Sequence, residues 1–73
     1  MAERDEVLVF LQALMKFGEP QRLTRKHLPP ATHEQDKARQ HSRRAGWASY
    51  WDSGWTITAA GQEELARREA ANA

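Results

Sequence analysis

The stretch over residues 32–58 constrains this chain more than any other. Thr32 with Gln35 three positions later fits a capping box, in which each side chain satisfies a free backbone N–H at a helix start. The helix opened there should run to about Arg44 or Ala45 and stop at Gly46. The pattern then changes at once to aromatic and β-branched residues. Residues 47–51 and 55–58 predict two short strands, with Asp52, Ser53 and Gly54 as the turn and Gly54 suited to a positive φ. The helix has a poor apolar side, offering only Ala38, Ser42 and Ala45. A polar helix running into a small hairpin needs a scaffold to bury against.

The flanking segments supply it. Val7, Leu8, Leu11, Leu14 and Met15 recur at spacings of three and four, the period of one buried helical face. Phe10 and Phe17 widen that face, so a helix over residues 3–17 is the main expected source of core. Glu3, Asp5 and Glu6 would sit in its first turn, where the helix dipole favours negative charge. Gly18 is a natural stop, and Pro20 follows it. Leu23 and Leu28 anchor a shorter piece, with Thr24 able to cap a turn of helix through Leu28 before Pro29 and Pro30 end it. Thr58 caps a last helix in which Leu65 and Ala66 make the buried contact. Gly61 in that helix costs about 1 kcal/mol against alanine, which points to a close backbone approach to the hairpin.

At 73 residues the chain is one domain, and it buries only about 60% of the surface its unfolded form exposes. It has no cysteine, which excludes disulfides and thiolate metal sites and favours a reducing, cytoplasmic setting. No apolar run approaches the roughly 20 residues of a membrane span, and a charged segment follows Met1. No membrane association is expected: the polar face of the first helix is acidic, and anionic lipids would repel it. Among the aromatics, at least two of the three tryptophans are expected to be buried for packing, leaving a residue near the turn, such as Tyr50, for contact with a partner.

The net charge of +1 conceals an asymmetry. Arg22, Arg25, Lys26, Lys37, Arg39, Arg43 and Arg44 face only Glu34 and Asp36 within residues 21–44, for +5. The segments on either side carry −2 each. An acidic scaffold with a basic middle favours an oriented encounter with an anionic surface; the alternative is a solvated basic face with no partner.

Arg44-Ala45-Gly46-Trp47, the hairpin, and Ile57-Thr58-Ala59-Ala60-Gly61-Gln62-Glu63-Glu64-Leu65 together resemble the wing region of winged helix-turn-helix domains. In that family a helix ends at glycine, and the second wing strand runs into a Leu-Thr-x-x-Gly-x-x-x-Leu helix start. The resemblance covers about residues 5–70. It implies a mainly α fold with a small β-hairpin, in the order α-α-α-β-β-α. It also implies a recognition helix at about residues 32–45 and a wing at about 47–58.

The resemblance makes a small transcriptional regulator that binds double-stranded DNA the leading expectation. Lys37, Arg39, Gln40, Arg43 and Arg44 would read the duplex from the basic helix, since Arg and Gln bond bidentately to base edges. Arg22, Arg25 and Lys26 would touch phosphates. One copy offers little contact area, so specific binding calls for a homodimer or a partner protein. The rival expectation is a protein-interaction module in which the same basic and aromatic surface docks on a larger machine such as RNA polymerase. An enzyme is not expected: no phosphate-cradling loop or catalytic triad is recognisable, and the chain is short for a deep pocket. No cofactor or metal is expected either. His33 and Asp36 are one turn apart, but His41 lies eight positions from His33, about 12 Å along the axis.

Overall fold

The computed structural model describes residues 4–17, 28–52 and 54–72. Their elements follow in the order α1 (Glu6–Phe17), α2 (His33–Arg44), β1 (Ala48–Trp51), β2 (Gly54–Ile57) and α3 (Ala59–Ala71). This is the mainly helical chain with one hairpin that the sequence predicts. The expected short helix around Thr24, the stop at Gly18, the Phe17 side chain and the turn residue Ser53 lie outside the described residues.

α1 begins later than its composition suggests. Asp5 is its cap rather than a first-turn residue: Leu8 N–H donates to Asp5 Oδ1 at 3.0 Å, and Val9 N–H donates to the Asp5 carbonyl at 3.0 Å. From that start the apolar spacing buries Phe10, Leu11 and Leu14 completely, with Val7 and Leu8 half-buried beside them. Met15 was expected on the same face but is exposed, because it falls at the edge of the stripe. Each fully buried Leu or Phe contributes about 1.5–3 kcal/mol, so these three side chains are a large share of what a domain this small can assemble.

The hairpin is a two-stranded antiparallel sheet with Ala48 opposite Ile57, Ser49 opposite Thr56, Tyr50 opposite Trp55 and Trp51 opposite Gly54. The left-handed backbone at its turn is taken by Asp52, with φ at 49°. Strand alternation puts Ala48, Tyr50, Trp55 and Ile57 on one face and Ser49, Trp51, Gly54 and Thr56 on the other. The first face is the inner one: Ala48 and Trp55 join the core, and Trp55 meets Phe10 edge to face at 5.1 Å. An isolated two-stranded hairpin is marginal in water, so this packing against the helices sustains it. The expectation for the tryptophans is met only in part. Trp55 is buried, Trp47 is half-buried against the core, and Trp51 is exposed.

The two junctions around the hairpin are tightly specified. Gly46, with φ at 82°, ends α2 in a Schellman motif: Trp47 N–H donates to the Ser42 carbonyl at 2.9 Å and Gly46 N–H to that of Arg43 at 3.2 Å. Thr58 caps α3 by accepting from Gly61 N–H at 3.0 Å, and its hydroxyl donates to the Gly46 carbonyl at 2.6 Å. Thr58 N–H also donates to the Trp47 carbonyl at 3.0 Å. The two ends of the hairpin are thereby tied to each other and to both adjoining helices.

Candidate functional site

The site is built on α2. Gln35, Ala38 and Ser42 are buried, at spacings of three and four, and define the face that meets α1. At about 100° per residue the opposite ridge falls on His33, Lys37, Gln40 and Arg44, with spacings of four, three and four. His33, Lys37 and Arg44 are exposed and Gln40 is half-buried. Among the described residues, Lys37 and Arg44 enter no ion pair. The ridge therefore presents an imidazole, an ammonium, an amide and a guanidinium along one line, with the two long cations available to an outside anion.

Charge is graded along the helix. Glu34 and Asp36 occupy the first turn, while His41, Arg43 and Arg44 occupy the last. Each end has the sign that its helix dipole favours, which stabilises α2 without large apolar anchors. The same grading concentrates positive charge beside the hairpin, because the turn from Ala45 to Trp47 leads directly into β1.

Two ring contacts brace that hairpin against α2. The Arg43 guanidinium lies 5.6 Å from the centre of the Tyr50 ring, and His41 meets Trp47 edge to face at 5.2 Å. Tyr50 in turn packs at 4.9 Å on Trp55. From the other side, Arg68 of α3 lies 5.3 Å from the Trp47 ring. Its Nη1 donates to both carboxylate oxygens of Asp5, at 3.0 and 2.9 Å, and its Nε donates to Glu64 Oε2 at 2.7 Å. Burial pushes the Asp5 carboxyl upward, but the Leu8 N–H and the bonds and charge of Arg68 outweigh it and hold Asp5 below its ordinary range.

The sequence-predicted residues separate into three groups. Lys37, Gln40 and Arg44 share the outward ridge, with Arg43 and the exposed Tyr50 beside it at the hairpin. Arg39 does not join them. Its Nη2 donates to the Pro29 carbonyl at 2.6 Å, its guanidinium carbon lies 6.0 Å from the Phe10 ring, and its Nε is buried without a partner among the described residues. Placed four residues after Gln35, it falls on the flank of the buried face and fastens the segment before α2. Arg22, Arg25 and Lys26 lie outside the described residues.

The capping box is also only half formed. Thr32 Oγ1 accepts from Gln35 N–H at 3.1 Å, but the Gln35 side chain turns inward and donates to the Glu6 carbonyl at 3.2 Å. Burial of α2 against α1 claims Gln35 for the interface. His33 joins the ridge by helical spacing from Arg44, and the exposure of Trp51 follows from strand alternation with Tyr50. Comparison with protein-family models, with curated proteins and with solved structures finds no match for this chain.

Proposed function

We propose that this protein binds double-stranded DNA as a winged-helix-like regulator, with the outer ridge of α2 facing the groove and the hairpin alongside it. The observation that carries this reading is the placement of Lys37, Gln40 and Arg44 on one exposed line, with both cations outside any ion pair among the described residues. Cations neutralise phosphates, while Gln and Arg have the paired donors and acceptors that distinguish base edges. The hairpin, braced on the same helix through Arg43 and Tyr50, gives the surface a fixed second wall. The small footprint of one copy makes two copies, or one copy beside another protein, the form in which a specific site is read.

Titration of a labelled random-sequence duplex at several low salt concentrations tests this reading. Affinity should fall steeply with salt, by about 0.9 in log affinity per log unit of salt for each phosphate neutralised. Absence of binding at the lowest salt would contradict it and return the basic face to a protein-docking role.

A further inference from the structure

The middle of the α2 ridge is held by a neutral side chain. Gln40 follows Lys37 by three positions and precedes Arg44 by four, so it stands between two exposed cations. It is half-buried, and its amide enters no hydrogen bond among the described residues. The Gln35 amide, five positions earlier, ties α2 to the Glu6 carbonyl, whereas the Gln40 amide contributes no bond to the fold.

Length and spacing divide the work of the ridge. Lys37 and Arg44 are seven residues apart, about 10.5 Å along the axis, which is close to the roughly 12 Å width of the major groove. Their long side chains carry charge outward from the two ends of this span, toward the phosphates that border the groove. The shorter Gln40 lies between them, where base edges form the floor. Asp36, four positions before Gln40, flanks it with a carboxylate, which disfavours a phosphate at this point of the ridge but not a neutral base edge.

We infer that Gln40 is the specificity-determining residue of the ridge and that it reads adenine, its amide nitrogen donating to N7 and its Oε1 accepting from the N6 amino group. This inference rests on the DNA-binding reading above and adds the base selected. On the major-groove edge adenine alone offers an acceptor beside a donor; guanine has two acceptors, cytosine a donor, and thymine an acceptor and a methyl group. An amide, with one donor and one acceptor side by side, therefore makes both bonds only with adenine. Lys37 and Arg44 on phosphates hold any sequence and leave the choice to Gln40. The partial burial of Gln40 restrains its side chain, which lowers the cost of ordering it for a two-point contact.

The test is fluorescence anisotropy at low salt with two labelled duplexes of alternating A·T pairs, one natural and one with 7-deazaadenine, which lacks the N7 acceptor, at every adenine. The native protein should bind the natural duplex about tenfold more tightly. Gln40→Met keeps the length of the side chain and removes the amide. It should bind both duplexes as the native protein binds the 7-deazaadenine one, with the native salt slope, because the amide neutralises no phosphate. Equal affinity of the native protein for both duplexes, or an undiminished preference in Gln40→Met, overturns the inference and leaves duplex binding standing. A native protein that binds neither duplex overturns this inference and the DNA reading together. Because Gln40 makes no bond within the fold, Gln40→Met should melt near the native temperature, which separates loss of base reading from loss of structure.

Discussion

Gly61 of α3 lies so close to Trp47 that a β-carbon added to it would stand 1.9 Å from the Trp47 carbonyl oxygen. The same added carbon would be 2.8 Å from Ile57 Cγ1. The carbonyl has no freedom to retreat, because it accepts the Thr58 N–H that holds the two hairpin ends together. A glycine that weakens its own helix is thus the condition for docking that helix on the hairpin. Gly61→Ala should destabilise the fold by about 3 kcal/mol or more. At about 4–8 °C per kcal/mol for a domain this size, thermal denaturation would show a fall of at least 12 °C or so. A variant melting within a few degrees of the native protein would contradict the contact.

Ser42 carries the opposite expectation. Its hydroxyl is fully buried and has no hydrogen-bond partner among the described residues, and the same holds for Gln35 Oε1 and Arg39 Nε on the same side of α2. A buried polar atom without a partner costs about 1–3 kcal/mol. Ser42→Ala removes that cost with little loss of volume and leaves the Ser42 carbonyl free to accept from Trp47 N–H. It should raise stability by about 1 kcal/mol in urea denaturation. A clear loss would mean that the hydroxyl is satisfied in solution.

Acid should loosen the junction of α1 and α3. The folded-state pKa of Asp5 lies below its ordinary value, so its contribution is complete above the unfolded-state pKa and is lost as pH falls through the folded one. Stability should therefore decline from about pH 4 downward, where an unfolded aspartate begins to take up its proton. Asp5→Asn should lower stability at neutral pH and flatten the decline. The check is a series of denaturation curves across that range; an unchanged acid slope in the variant would show that other carboxylates dominate.

Arg39 and Arg44 should separate structure from binding. Arg39→Ala removes the bond to the Pro29 carbonyl and cover over Phe10, and should cost about 1–2 kcal/mol of stability. It should leave the salt dependence of duplex binding unchanged under conditions where the variant is folded. Arg44→Ala should reverse that pattern, with a normal melting curve and a salt slope smaller by about one. If Arg39→Ala changed the slope as much as Arg44→Ala, the inward placement of Arg39 would not hold in the bound state.

The elements were largely legible because local signals agreed with one another. The cap at Thr32, the stop at Gly46, the aromatic strands and the cap at Thr58 each needed only neighbours within a few residues. Even the close approach at Gly61 was foreshadowed by the poor fit of glycine in a helix. What local pattern did not reveal depended on partners distant in sequence. The Gln35 side chain abandons its cap for the Glu6 carbonyl, 29 positions away, and Arg68 reaches Asp5 across 63. Arg39 looked like its basic neighbours because its inward turn depends on where Pro29 and Phe10 lie. The outward ridge followed from helical period, whereas the division between buried Trp55 and exposed Trp51 required the strand register.

The most direct measurement of the central claim is the salt dependence of duplex binding for the native protein and for Lys37→Ala combined with Arg44→Ala. If the ridge of α2 holds DNA, the native protein binds a random duplex at low salt and weakens steeply as salt rises. The double variant keeps its melting curve and loses about two units of slope. A native protein with no affinity at the lowest salt, or a double variant with the native slope, would contradict the assignment of this ridge to DNA.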